Sequence, residues 1–90
     1  MLKPNVDIQE FKKIGFKQCK EIPKDTPCLY LCIRKDSTMI FVSECVYCII
    51  KWRHDDPRVH KQANCTRADD NRDAMDITFD LIQAGMLTKA

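Results

Sequence analysis

The chain has 90 residues, 44% of them hydrophobic and 31% charged, with a formal net charge of +2. This is the length of a single domain, here residues 1–90, and its composition is that of a folded chain rather than a disordered one. It has no apolar run near the roughly 20 residues a membrane span needs, and a net charge of +2 is too small to argue for nucleic acid.

The charge is unevenly spread. Residues 1–35 carry eight Lys/Arg against four Asp/Glu (+4), and residues 36–90 carry seven against nine (−2). Such a field is suited to steering one partner toward the basic front. The first residues have no apolar signal region, so a cytoplasmic location with reduced thiols is expected for the six cysteines.

In chain order, Asp7-Ile8-Gln9-Glu10 reads as a capping box with Asp7 as N-cap, and Val6 and Phe11 read as a hydrophobic staple. Lys12 and Lys13 fall in the last turn, and Gly15 supplies a left-handed stop with Phe16 as its apolar contact. A short helix over residues 8–14 is predicted. Residues 16–21 form a weak strand, and residues 22–27, with Pro23 and Pro27, form a loop. Residues 28–34 alternate, with Leu29, Leu31 and Ile33 on one side and Cys28, Tyr30 and Cys32 on the other. Both sides are apolar, as in a central strand. Residues 35–38 are a turn and Met39 to Val42 the returning strand, so residues 28–42 read as a hairpin.

Residues 44–53 fit either element. Val46, Ile49 and Ile50 favour a strand, whereas Ser43 as N-cap and the spacing of Cys45, Cys48, Ile49 and Trp52 fit a helix; the strand is preferred. Residues 53–57 form a loop, and residues 58–68, with no period, form a long ordered connection. A last helix starts at Asp70 or Asn71 and ends at Gly85, with Ala74, Met75, Thr78, Phe79, Leu81, Ile82 and Met86 as its apolar stripe. The expected fold is α+β: a short N-terminal helix, an antiparallel meander of three to four strands, and a C-terminal amphipathic helix. That helix would lay Met75, Phe79, Ile82 and Met86 on one face of the sheet.

Residues 39–48, Met-Ile-Phe-Val-Ser-Glu-Cys-Val-Tyr-Cys, resemble the glutaredoxin motif, in which a strand runs into Cys-Pro-Tyr-Cys at a helix N-terminus. The resemblance implies a thiol oxidoreductase using Cys45 and Cys48, the helix end lowering the pKa of the first thiol. Val46 stands where that family has proline, and the family's later Thr-Val-Pro segment is missing. Zinc would need Cys45 and Cys48 with His54, His60 and Cys65. Only five residues separate Cys48 from His54, against about 12 between the pairs of a zinc finger, so no metal is expected. No cofactor is expected either. Lys12, Lys13, Lys17, Lys20 and Lys24, near Phe11, Phe16 and Tyr30, allow a nucleic-acid-binding module as a further alternative.

In texture the chain resembles small accessory proteins encoded by bacterial phages and prophages. The similarity rests on its length, the opening Asp-Ile-Gln-Glu-Phe-Lys-Lys-Ile-Gly-Phe and the closing Asp-Ile-Thr-Phe-Asp-Leu-Ile. It implies a non-enzymatic, protein-binding module, for instance an inhibitor of a host defence or nucleoprotein complex. Trp and Arg are enriched at interface hot spots. The expected contact surface is therefore Trp52, Arg53, Asp55, Asp56 and Arg58, with Lys12, Lys13 and Lys17 raising the association rate.

Overall fold

A computed structural model describes residues 1–23 and 25–90. Lys24, read above as part of the 22–27 loop and of the basic segment, lies outside the described residues. The elements are β1 (Leu2–Pro4), a 3-10 helix (Ile8–Ile14), β2 (Lys17–Gln18), β3 (Cys28–Ile33), β4 (Thr38–Ser43), β5 (Val46–Lys51), α1 (Ala74–Gln83) and β6 (Leu87–Lys89). They form an α+β fold with one six-stranded sheet in the order β2-β3-β4-β5-β1-β6, each neighbouring pair antiparallel.

The meander β3-β4-β5 is the centre of this sheet, registered from Cys28↔Ser43 to Ile33↔Thr38 and from Thr38↔Lys51 to Ser43↔Val46. The hairpin over 28–42 and the strand preference for 44–53 both hold. The expected strand count was too low, because two three-residue strands at the chain ends extend the sheet. β1 pairs with β5 and β6, and the junction is tied by Asn5 N–H to Met86 O at 2.8 Å and Ala90 N–H to Met1 O at 2.9 Å.

Gly15 and Gly85 close the two helices. Gly15 has φ 108° and Gly85 φ 74°, and a Cβ on either would meet nothing within 4 Å, so it is the left-handed backbone rather than space that calls for glycine. At Gly85 the Schellman pattern is complete: Met86 N–H bonds Leu81 O at 2.9 Å and Gly85 N–H bonds Ile82 O at 3.0 Å. At Gly15, Phe16 N–H bonds Phe11 O at 3.1 Å, and the two rings meet edge-on at 5.5 Å. The first helix is 3-10 rather than α, and its capping box does not form. Asp7 accepts from Gln9 N–H at 2.9 Å, while the Glu10 carboxylate turns forward to Lys13 at 2.6 Å. Val6 is exposed, so the staple is not buried either.

Alternation along β3 and β4 gives the sheet two apolar faces. Leu29, Leu31, Ile33, Ile40 and Val42 meet Ile8, Phe11, Ala74, Ile77 and Leu81 of the helix layer. Tyr30, Cys32, Met39 and Phe41 meet Cys19 and, from the long connection, Val59, Ala63 and Cys65. The connection is therefore a third layer.

Two expectations for α1 are corrected. Its N-cap is Asp73, in a reciprocal box with Asp76, and Asp36 accepts a further bond from Ala74 N–H at 2.9 Å; Asp70 instead grips Arg72. The helix also buries only part of the expected stripe, and sits rotated from the set Met75, Phe79 and Ile82. Ala74, Ile77, Thr78 and Leu81 are buried, whereas Met75, Phe79 and Ile82 are 66%, 58% and 45% exposed. The helix carries two apolar stripes and one sheet face can bury only one. The stripe that wins has small Ala74 against the sheet and Thr78, whose hydroxyl meets the Tyr47 hydroxyl at 2.8 Å. Met86, just past the helix, packs partly against the same core.

Candidate functional site

The segment proposed as a contact surface divides into two parts. Trp52 is half-buried against the second core, its N–H bonding Ser37 O at 2.9 Å and its ring 5.9 Å from His54. Arg53 and Asp55 are exposed and, among the described residues, paired only with each other, at 3.5 Å. Asp56 is buried within the loop and Arg58 is half-buried beside it. Asp56 is 9% exposed and accepts from Arg58 N–H at 2.9 Å, Nε at 3.1 Å and Nη2 at 2.8 Å. The Arg58 guanidinium lies 3.9 Å over the Phe41 ring, a cation–π contact, and its carbonyl accepts from Lys20 N–H at 2.8 Å. These bonds from Arg58 hold the Asp56 carboxyl below its usual pKa. Arg58 thus fastens the loop to the sheet while its side chain stays 38% exposed.

Lys12 and Lys13 are exposed on the 3-10 helix, and Lys17 on the edge strand β2. The 3-10 helix packs on the sheet face opposite to the loop. The structure does not gather Lys12 and Lys13 with Trp52 and Arg53 into one patch.

Two residues whose role the sequence does not announce hold the loop in place. Tyr30 is fully buried. Its hydroxyl accepts from His60 N–H at 3.3 Å and Asn64 N–H at 3.1 Å and lies 2.6 Å from His60 Nδ1. Asn64 bonds Gly15 O at 2.7 Å and Tyr30 O at 3.1 Å through Nδ2. Cys32 N–H donates to Asn64 O at 2.8 Å and Thr66 N–H to Cys32 O at 2.9 Å, so the loop completes the edge of β3 beyond the short β2. An aromatic hydroxyl on an otherwise apolar strand face, with an Asn in the connection, is the signal a sequence offers for such a lock.

The cysteines separate by environment. Cys45 is exposed in the two-residue turn before β5, and Cys48 is half-buried within that strand. The Cys45/Cys48 motif therefore lies on a turn and strand, without the helix N-terminus that activates a glutaredoxin thiol. Cys19 and Cys28 are paired, with Sγ atoms 3.3 Å apart on residues facing each other across the β2–β3 edge. Burial, then the neighbouring Cys28, pushes the Cys19 thiol well up; burial, then Cys65, pushes Cys32 up to about 12. Among the described residues, no three His, Cys, Asp or Glu side chains converge to hold a metal ion.

A timed alkylation read by mass spectrometry is expected to label Cys45 first, and Cys19 and Cys32 only after denaturation. A mild disulfide oxidant is expected to join Cys19 to Cys28 rather than Cys45 to Cys48. Residues opposed in an antiparallel pair have Cα atoms roughly 4.5–5.5 Å apart, within the range a disulfide spans.

Among the described residues, no helix is long and apolar enough to cross a membrane. Comparison with protein-family models, curated proteins and solved structures finds no match to this chain.

Proposed function

We propose that the protein is a non-enzymatic protein-binding module whose contact surface is the outer face of α1. One observation carries this reading: Met75, Phe79 and Ile82, spaced four and three apart, are 66%, 58% and 45% exposed. Exposed apolar side chains in a row on one helix are unusual for a surface with nothing to cover it. Covering three such side chains is worth about 1.5–3 kcal/mol each at full burial, which suits an interface anchor. The spacing is that of a helix-to-helix seam.

The flanks favour a basic partner. Residues 69–83 contain five aspartates and one arginine, and Asp76 and Asp80 are exposed on α1 beside the stripe. An amphipathic helix with Lys or Arg beside its apolar face complements this surface in shape and charge. The phage-type resemblance makes a host defence or nucleoprotein complex the first place to look for such a helix.

A photo-crosslinking amino acid in place of Phe79 is expected to capture a basic helical segment, and the same group in place of Arg53 is expected to capture little. Efficient capture from position 53 and none from position 79 would move the contact surface back to the loop. Capture of a second copy of this chain from position 79 would make the protein a self-associating one.

A further inference from the structure

On the opposite face of the sheet, a groove of about 520 Å³ is lined by residues that include Arg34, Trp52, His54, His60, Lys61 and Gln62. Its size lies within the roughly 300–1,000 Å³ of small-molecule sites. No carboxylate lines it. The nearby loop acids are already engaged, Asp55 with Arg53 and Asp56 with Arg58. Neither Arg34 nor Lys61 meets a carboxylate among the described residues. The groove is therefore positive without internal compensation.

Two of its donors are held in place. Arg34 is rooted by its backbone N–H on Thr66 Oγ1 at 3.1 Å and by Nε on Thr66 O at 2.8 Å, which leaves the two Nη groups for a ligand. His60 is fixed by Tyr30. The Tyr30 hydroxyl already accepts from His60 N–H and Asn64 N–H, so it has only its own proton to give, and the recipient is His60 Nδ1 at 2.6 Å. An imidazole accepting at Nδ1 carries its proton on Nε2. His60 thus brings an oriented N–H donor to a groove that already has a guanidinium fork and an ammonium.

We propose that this groove binds a small phosphate-bearing molecule, with the phosphate held by Arg34, Lys61 and His60 Nε2 and the Trp52 ring forming the wall beside it. A guanidinium fork, a point-charge ammonium and an imidazole N–H donor are groups that recognise a phosphate. The Trp52 ring, with His54 next to it, provides a flat surface for an organic moiety.

The chain has a single tryptophan, so its emission reports on this groove directly. The probes are inorganic pyrophosphate and adenosine monophosphate, titrated at ionic strength held constant with potassium chloride. Both are expected to give a saturable change, with Kd at or below about 1 mM. Lys61→Gln, a change at an exposed side chain, is expected to raise Kd about tenfold, as is Arg34→Gln, while Lys12→Gln on the far side has no effect. Tighter binding of the nucleotide assigns a stacking role to Trp52, and equal binding assigns a phosphate site alone. The proposal is overturned by the absence of a saturable change up to about 10 mM, by chloride reproducing the change, or by Lys61→Gln leaving Kd unaltered.

Discussion

Leu81→Ala is expected to destabilise the protein by about 2–5 kcal/mol, whereas Phe79→Ala changes stability by less than about 0.5 kcal/mol. The ranking inverts the usual one, in which truncating a phenylalanine costs more. Leu81 is 4% exposed and packs in the core between the sheet and the helix layer; Phe79, two residues away, is 58% exposed. Urea unfolding of the two variants measures both. Equal losses, or a larger one for Phe79→Ala, would mean that the helix is rotated to bury the other stripe. In that case the contact surface proposed for α1 would no longer exist.

The contrast also shows where the sequence was legible. Alternation on residues 28–34 identified both faces of β3, since two periods of apolar residues point to two covered sides. The stops at Gly15 and Gly85 were legible because each glycine directly follows a helical pattern and precedes an apolar residue, Phe16 or Met86, the order a left-handed cap requires. The rotation of α1 was not legible. Ala74, Ile77, Thr78 and Leu81 form one helical stripe and Met75, Phe79, Ile82 and Met86 another, and hydropathy alone favours the bulkier set. The outcome turns on Thr78 meeting Tyr47 and on Asp36 meeting the helix start, both contacts distant in sequence.

The same holds for the cap, where Asp70, Asp73 and Asp76 compete and Arg72 occupies Asp70. The first helix has only seven residues between Asp7 and Gly15, too few for an α-helix to recover its nucleation cost, and it settles as 3-10. The terminal strands are three residues each and have no period to read; they exist because the chain ends pair with each other. Of the expected contact residues, Arg53 and Asp55 are exposed and Trp52 is half-buried. The burial of Asp56 was not legible, because an acid and a base two residues apart look like solvated charges until Arg58 lies over Phe41 and grips the carboxylate.

Tyr30→Phe is expected to cost about 1–3 kcal/mol even though it removes a single oxygen. That oxygen sits on a fully buried side chain and serves three partners, the His60 and Asn64 backbone N–H groups and His60 Nδ1. Without it, two donors and one acceptor lose their partner at once, and the cost falls on the unmade bonds rather than on lost volume. The effect is expected to be local. Amide exchange at His60 and Asn64 should quicken and proteolysis within residues 53–66 should increase, while β4, β5 and α1 stay protected. Asp56→Asn is expected to act on the same segment by a different route, weakening the grip on Arg58. Because Arg58 remains 38% exposed, its cost should lie near about 1–2 kcal/mol, below that of a fully buried pair. The two changes act on one loop, so their combined cost should fall short of the sum, since a loop already detached at Tyr30 has less to lose at Asp56. Additive losses would mean that the two fastenings hold independent pieces of chain. A Tyr30→Phe variant as stable as the parent would mean that water satisfies the freed groups and that the loop is held by its apolar contacts alone.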